Sequence, residues 1–164
     1  LKIDFSNNFN VKNIKSILQQ KSIKSNSLIE ELYSRDFTCN TLLWSLDLKN
    51  ILDLTNLAMN DLKNKNIITC LSPEITLGSD PKRIVRAIYL ATKLDFNINN
   101  DVSYWIKTNP GILRQVDPNY IVKKIKKSLN KDPEKTIYLI KNLNLTKFIP
   151  SSPALSSYFN QGLL

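Results

Sequence analysis

The chain has 164 residues, of which 42% are hydrophobic, enough for one domain or two small ones with a proper core. Its net charge of +9 favours an anionic partner such as nucleic acid, although an AT-rich genome would enrich Lys in the same way. The sequence contains no His and only two cysteines without paired spacing, which argues against a zinc site. It also lacks an apolar run of ~18 residues, which argues against a membrane span.

The beginning of the chain predicts little regular structure. Residues 1–5 alternate between apolar and polar and predict a strand. Residues 6–26 are polar and weakly patterned, which predicts a loop with one short helix near residues 11–20. Ser27-Leu-Ile-Glu30 has the spacing of a capping box, so a short helix is expected to run to about Tyr33.

Two short strands are predicted next, over residues 42–46 and 67–70, with residues 53–65 as loop and turn between them. The two cysteines, Cys39 and Cys70, indicate a reducing, intracellular compartment, either the cytoplasm or an organelle of an organism with an AT-rich genome.

Asp80-Pro81 predicts a helix start, because an Asp side chain caps unpaired amides and Pro suits the first helical position. An apolar stripe with the spacing of a core-facing helix follows: Ile84, Ala87, Ile88, Ala91 and Leu94. Off that stripe, Asp80, Arg83 and Arg86 share one edge. A carboxylate and two guanidiniums held this way could read the hydrogen-bonding edge of a nucleobase, or they could be the solvated residues of a capped surface helix.

Arginine is scarce in this sequence, which makes its positions informative. The chain has 19 Lys but four Arg, at positions 35, 83, 86 and 114. In so Lys-rich a sequence, an Arg indicates a need for planar, bidentate hydrogen bonding rather than for charge alone.

The second half of the chain is predicted to be helical. A short helix over Val102–Lys107 is broken at Asn109-Pro-Gly111, and Asp117-Pro118 and Asp132-Pro133 repeat the helix-start signature, with the last helix running to Leu143.

The helix that starts at Pro118 is predicted to have two different faces. It buries an apolar set: Ile121, Val122, Ile125 and Leu129. It turns four lysines outward: Lys123, Lys124, Lys126 and Lys127. These lysines either follow the phosphates of RNA or form a solvated face.

Three blocks, in order and at fitting spacing, resemble the class II nucleotidyltransferases, the family of tRNA CCA-adding enzymes and bacterial-type poly(A) polymerases. Arg35-Asp-Phe-Thr-Cys-Asn40 resembles the motif R-D-F-T-x-N. Asp53-Leu-Thr-Asn-Leu-Ala-Met-Asn-Asp-Leu62 resembles D-x-T-G-x-G-x-x-D-L, with Asn56 and Ala58 at the glycines. Residues 80–89 resemble E-D-P-x-R-x-L-R-A-I-R, with Ser79 and Tyr89 in place of the Glu and the last Arg.

The resemblance implies an α+β fold, in which part of a nucleotidyltransferase sheet domain is followed by an all-α neck and body. Residues 1–70 would form the second half of the head, residues 71–116 the neck with the base-reading helix, and residues 117–164 an RNA-binding helical body. The resemblance implies that Arg35, Asp36 and Asn40 hold the sugar and phosphates of the nucleotide and order the base-reading helix. It implies that Asp80 and Arg83 hydrogen-bond the base, and that Arg86 braces these two residues or reaches the phosphates.

The resemblance also implies ATP and CTP as substrates and Mg²⁺ as cofactor, held by an Asp-x-Asp pair that lies upstream in the family. This chain lacks that pair, so it is expected to be inactive alone and to need another chain or segment to complete the core. The predicted function is part of an enzyme that adds CMP or AMP to RNA 3′ ends, of tRNA or of another RNA. The alternative is a degenerate relative that serves as an RNA-binding or structural subunit. With three glycines and no Ser/His/Asp or Cys/His arrangement, hydrolytic and Rossmann-type enzymes are poor alternatives.

Overall fold

A computed structural model describes residues 25–46, 49–160 and 162, so the predictions for residues 1–24 lie outside the described residues. The helices are α1 (Ser25–Ser34), α2 (Ala58–Lys63), α3 (Pro73–Ser79), α4 (Lys82–Leu94), α5 (Asn100–Thr108), α6 (Pro118–Leu129), α7 (Pro133–Asn142) and α8 (Ser156–Asn160). Short 3-10 helices lie at Thr38–Asn40, Pro110–Gln115, Thr146–Phe148 and Pro153–Leu155. Among these helices none has the length and apolar character needed to cross a membrane.

The strands are short and form two separate pairs. Strands β1 (Leu43–Trp44) and β2 (Ile51–Leu52) are antiparallel, with Leu43 opposite Leu52. Strands β3 (Asn66–Ile67) and β4 (Asn97–Ile98) are parallel, with Ile67 opposite Ile98. The predicted α+β class, with a small sheet portion followed by helices, is confirmed, and the predicted strands over 42–46 and 67–70 correspond to the shorter β1 and β3.

Helix α2 corrects the prediction of loop and turn over residues 53–65. Its six residues are too few to show a helical period, and its Met59 amide is bonded by a side chain that lies outside the helix. Asp53 Oδ2 accepts from the Met59 amide at 2.9 Å, and Oδ1 accepts from the Thr55 hydroxyl at 2.8 Å. Asn56 has a φ of 58°, a left-handed conformation that Asn tolerates better than other residues with a side chain. The glycine of the family motif is therefore replaced by a residue that keeps the turn.

Helix α4 is the centre of the core and packs against α6 and α7. Ile84, Ala87, Ile88 and Ala91 are fully buried, as the stripe predicts. Leu94 is 37% exposed, so its predicted burial is wrong. Leu94 is the last residue of the helix, and Asp95 follows it in the left-handed conformation that ends the helix, with a φ of 55°.

The Asp-Pro pairs precede helices at all three predicted places. Asp117 and Asp132 are N-caps as predicted, whereas the N-cap of α4 is Pro81 and not Asp80, one residue later than predicted. Helix α4 begins at Lys82, whose amide donates to Asp80 Oδ1 at 3.2 Å. Asp117 caps α6 by accepting from the Asn119 amide at 2.9 Å, and Asp132 caps α7 through the Lys135 amide at 3.0 Å. Helices α1 and α5 also form where predicted, α1 beginning at Ser25 rather than Ser27. The three-part division at residues 70 and 116 stays a prediction.

Candidate functional site

A cleft of about 500 Å³ lies between the segment that follows α1 and the facing sides of α4 and α6. Its wall contains all six residues that the sequence predicts for nucleotide binding: Arg35, Asp36, Asn40, Asp80, Arg83 and Arg86. Three further residues complete it: Tyr89, Leu90 and Lys124. Two stretches that lie forty residues apart in the sequence are thus brought to one surface.

Asp36 is the most buried charged group of the cleft, with 5% exposure. Its Oδ1 accepts from Asn40 Nδ2 at 2.8 Å and from the Phe37 amide at 3.0 Å. Its Oδ2 lies 2.6 Å from Arg86 Nε, an ion pair without the alignment of a hydrogen bond. The Asn40 contact spans four residues, although Thr38–Asn40 is a 3-10 helix and not an α-helix. Asp36 therefore ties this segment to helix α4.

Arg35 holds the same segment from the other side. Its Nε and Nη2 donate to the two carboxylate oxygens of Glu31 at 3.1 and 3.2 Å, one turn earlier on α1. Its Nη1 donates to the Asn40 carbonyl at 2.6 Å. Three of its five N–H groups are thus engaged within the protein, and the outer edge of the guanidinium borders the cleft.

Asp80 and Arg83 place an acceptor beside a donor on the helix wall. Arg83 Nη1 donates to the Thr76 carbonyl at 3.2 Å and Nη2 to the Ser34 carbonyl at 3.0 Å, which fixes the guanidinium against α3 and α1. Its Nε lies 3.9 Å from Asp80 Oδ2, and the two side chains are 22% and 45% exposed. Oδ1 of Asp80 accepts from the Lys82 amide at the start of α4, and Oδ2 faces Arg83 at the border of the cleft.

Lys124 corrects the prediction that all four lysines of α6 point outward. Lys123, Lys126 and Lys127 are exposed, but Lys124 is half-buried and lines the cleft. Its Nζ lies 5.1 Å from the centre of the Tyr89 ring and 5.7 Å from that of Tyr120. Burial lowers the pKa of Lys124, and the positive charges of Arg86, Lys127 and Lys123 lower it further. The reason for the error is that α6 packs against α4 along this row.

Tyr120 shares the environment of Arg86. Burial raises the pKa of Tyr120, while the positive charge of the Arg86 guanidinium acts in the opposite direction. The Arg86 side chain, which pairs with Asp36, is 44% exposed.

The sequence prediction missed Tyr89, Leu90 and Tyr120. A signal for Tyr89 exists, since it continues the every-third-residue row of Asp80, Arg83 and Arg86. Ser79, which stands where the family motif has Glu, donates its hydroxyl to the Thr76 carbonyl at 3.2 Å and is not among the residues of the cleft wall.

The described carboxylates do not fit a two-metal centre. Residues 25–46 and 49–160 contain no group of three or more potential metal ligands. Asp36 is paired with Arg86, and Asp61, 7% exposed, accepts from the Thr38 hydroxyl at 2.7 Å. That Mg²⁺ is held by another part of the core stays a prediction.

The two thiols under the cleft are held in the protonated form. Burial raises the pKa of Cys39 to about 11 and that of Cys70 to about 12, and the Asp36 carboxylate adds to both shifts. Both cysteines have free thiols. As neutral groups at physiological pH they contribute packing rather than nucleophilic chemistry.

Comparison with known proteins gives concordant similarities. A family model described as the poly A polymerase head domain matches residues 3–68. The tRNA nucleotidyltransferase cca1 of Schizosaccharomyces pombe is 43% identical over 82 residues, which cover 50% of this chain and 16% of that protein. The CCA-adding enzyme of Ligilactobacillus salivarius is 33% identical over 125 residues, 76% of this chain and 30% of that enzyme.

Among solved structures, the CCA-adding enzyme of Bacillus stearothermophilus in complex with CTP superposes with a TM-score of 0.71 at 20% identity. The match covers 83% of this chain and 34% of that enzyme, and it supports the fold. The chain thus spans less than a third of the length of the two relatives matched by sequence.

Proposed function

The chain belongs to the class II nucleotidyltransferase family of CCA-adding enzymes and poly(A) polymerases and contains part of its core, and on this premise we propose that the protein adds CMP or AMP to the 3′ ends of RNA. In this proposal the described chain recognises the base of the incoming CTP or ATP and binds the RNA, either a tRNA or another RNA. Mg²⁺ would supply activation of the RNA 3′-hydroxyl when bound elsewhere in the core.

One observation carries the proposal: the six residues predicted for nucleotide binding border one cleft of about 500 Å³, within the size range of small-molecule sites. They come from separate segments and are joined by the Asp36–Arg86 ion pair of 2.6 Å. A set of solvated surface residues would have no reason to converge in this way. The pairing also fixes the wall before a ligand arrives, which lowers the entropic cost of binding.

Base selection follows from the adjacent acceptor and donor. Asp80 Oδ2 accepts from the exocyclic amino group that cytosine and adenine share, and Arg83 donates to the neighbouring ring nitrogen. Arg83 keeps three N–H groups for this task after its bonds to the Ser34 and Thr76 carbonyls. Uracil and guanine present a carbonyl where the amino group is needed. Each such mismatch costs about 1–3 kcal/mol, about 5- to 150-fold in binding.

The second candidate is a non-catalytic RNA-binding or structural subunit, and one observation favours it. Both terminal nitrogens of Arg83 are already bonded to backbone carbonyls, at 3.0 and 3.2 Å, so the residue could serve only to hold α1 and α3 against α4. Under this candidate the cleft has no nucleotide preference, and Arg83 contributes stability alone.

The test separates base reading by Asp80 from its capping of α4. Asp117 provides a matched control, because it also precedes a Pro, caps through the amide two residues on and does not border the cleft. Asp80→Asn and Asp117→Asn are made in the intact protein, since Asn caps nearly as well as Asp. The affinities for CTP, ATP, UTP and GTP are measured by isothermal titration calorimetry, with melting temperatures alongside.

Both variants are expected to melt close to the unmodified protein. Asp80→Asn should reduce the preference for CTP over UTP by about 5- to 150-fold, whereas Asp117→Asn should leave it unchanged. If the unmodified protein does not discriminate among the four triphosphates, or if both variants keep its discrimination, the base-reading proposal fails and the structural subunit is favoured.

A further inference from the structure

A second cavity, of about 410 Å³, adjoins the cleft and shares the Tyr89 ring with it. We call it the lysine cavity, after its wall of Tyr89, Lys93, Lys127, Asn130 and Lys131. Three of these five residues are cationic and none is acidic. The charge of this wall is therefore positive throughout, unlike that of the cleft, where Asp36 and Asp80 alternate with arginines.

The positive charge of the lysine cavity is not neutralised from within. In the part of the chain that the structure describes, the ammonium groups of Lys127 and Lys131 form neither a hydrogen bond nor an ion pair. Lys93 contacts only a ring, with Nζ 5.9 Å from the centre of Tyr89. Lys135, on the next helix, behaves in the ordinary way, with Nζ 2.6 Å from Asp95 Oδ1. Three exposed cations on one concave surface without a counter-charge indicate that the surface binds an anion.

The spacing of the residues shows that the lysine cavity is one end of a longer surface. On α4 a row repeats at intervals of four, three and four residues: Lys82, Arg86, Tyr89 and Lys93. On α6 and the turn after it a second row has the same intervals: Tyr120, Lys124, Lys127 and Lys131. Such spacing keeps each row on one face of its helix.

Ring contacts between the two helices show that the rows face each other. Lys82 Nζ on α4 lies 5.8 Å from the Tyr120 ring on α6, and Lys124 Nζ on α6 lies 5.1 Å from the Tyr89 ring on α4. Six cations and two rings thus line a path of about 17 Å, eleven residues at the helical rise. This path runs from the cleft to the lysine cavity. A groove that combines cations with aromatic rings suits a single nucleic-acid strand, whose phosphates meet the cations and whose bases meet the rings.

We propose that the lysine cavity binds backbone phosphates of single-stranded RNA just upstream of its 3′ end, with Tyr89 stacking against one of the bases. The chemistry recognised is a phosphate anion on a strand with exposed bases. The statement that the 3′ end then reaches the cleft rests on the proposed function, but RNA binding by the lysine cavity does not. A free nucleoside triphosphate carries similar phosphates, and the experiment separates these two sources.

The first comparison is between two triple variants of the intact protein with the same change in charge. One replaces the cavity lysines, Lys93→Gln, Lys127→Gln and Lys131→Gln. The control replaces three exposed lysines that border neither cavity, Lys63→Gln, Lys141→Gln and Lys147→Gln. Binding of a 5′-fluorescein-labelled RNA 12-mer without secondary structure is followed by fluorescence anisotropy from 50 to 300 mM salt, and binding of CTP by calorimetry.

The cavity variant should bind the RNA about 5- to 100-fold more weakly at 0.1 M salt, because each lost phosphate contact removes ~0.7 from the salt slope of a single strand. The control should lose less than about twofold. CTP affinity should be unchanged in both. Equal losses in the two variants, or a loss of CTP binding with RNA binding intact, would overturn the assignment of the lysine cavity to RNA.

Tyr89 is tested separately, through a readout that does not depend on charge. Tyr89→Leu should lower RNA affinity by about fivefold or more, since a stacked base contributes that much, and Tyr89→Phe should keep it. Equal affinity of the Leu and Phe variants would remove stacking from the proposal. If the unmodified protein binds the RNA in this way but binds no CTP, the proposed function fails while this inference stands.

Discussion

The cleft and the lysine cavity share Tyr89 but balance their charges in different ways. In the cleft, each Arg lies beside a carboxylate: Arg86 by Asp36 at 2.6 Å, Arg83 by Asp80 at 3.9 Å, and Arg35 by Glu31 at 3.1 Å. In the lysine cavity no carboxylate belongs to the wall. Paired charges have fixed directions and can discriminate between hydrogen-bonding patterns, whereas unpaired ammonium groups attract any phosphate. The difference separates a surface suited to selecting a base from one suited to holding a strand.

The largest effect is expected from breaking the pairing that defines the cleft. Arg86→Met keeps the apolar stem but leaves the Asp36 carboxylate, 5% exposed, without its counter-charge, which should cost about 3–5 kcal/mol of unfolding free energy. Asp36→Asn should cost less, about 1–2 kcal/mol, because the guanidinium of Arg86 is 44% exposed and can be hydrated. Urea denaturation measures both.

The two variants of this pair serve as each other's control, because Arg86→Met leaves a buried carboxylate whereas Asp36→Asn leaves a guanidinium that water can reach. Equal costs for the two variants at pH 7 would mean that the buried ion pair does not organise the cleft.

The second-largest effect is expected from removing the hydrogen-bond donor Arg83, which should change the selectivity among the four nucleoside triphosphates. Arg83→Ala should reduce the preference for CTP and ATP over UTP and GTP by about 5- to 150-fold, more than it lowers triphosphate affinity. It also removes the Arg83 hydrogen bonds to the Ser34 and Thr76 carbonyls, at a cost of about 1–2 kcal/mol. Competition binding of the four nucleotides measures the first effect and thermal melting the second. A loss of stability with unchanged preference would assign Arg83 to the structure alone.

The exposed lysines of α6 should give a smaller and non-selective effect. Lys123→Gln with Lys126→Gln removes two solvated charges and should lower the slope of log affinity against log salt by up to ~1.4 for single-stranded RNA. Lys124→Gln removes a charge that faces the cleft and should instead weaken CTP binding. Titrations of RNA and CTP with both variants compare these outcomes. An unchanged slope in the double variant would identify Lys123 and Lys126 as a solvated face.

The last prediction concerns the effect of the Asp36 carboxylate on the thiol of Cys39. In a Cys70→Ala variant, Cys39 should be alkylated with a midpoint near its pKa of about 11, on the order of 100-fold more slowly at pH 8 than an unhindered cysteine. Adding Asp36→Asn removes a negative charge that raises this pKa and should accelerate alkylation at pH 8. No acceleration would show that the Asp36 carboxylate does not raise the pKa of Cys39.

Local patterns in the sequence predict the helices well, because their signals lie within a few residues. The Asp-Pro pairs locate the starts of α4, α6 and α7, and the buried stripe of α4 is right up to Ala91. The end of α4 depends on the left-handed Asp95, a conformation that Asp permits but does not signal. Helix α2 was missed because Asp53 caps it from outside the helix, at Met59.

The cleft could be predicted only in part from local patterns. The row of Asp80, Arg83 and Arg86 follows from helical spacing, and the resemblance to a known family placed Asp36 at the same site. The ion pair of Arg86 with Asp36 joins positions 50 residues apart and was not predicted. The half-burial of Lys124 depends on how α6 packs against α4, a property of two helices together. The periodicity of one helix therefore cannot predict the half-burial of Lys124.

The parallel pairing of β3 with β4 has a consequence for folding. The Asn97 and Asn99 amides donate to the Lys65 and Ile67 carbonyls at 2.8 and 3.1 Å, which closes residues 68–96 into a loop that contains α3 and α4. A strand pairing held by two hydrogen bonds is weak, and exchange of these two amides with deuterium requires the pairing to open. The exchange rates of the Asn97 and Asn99 amides would therefore report how often β4, which follows α4, separates from β3 in the ligand-free protein.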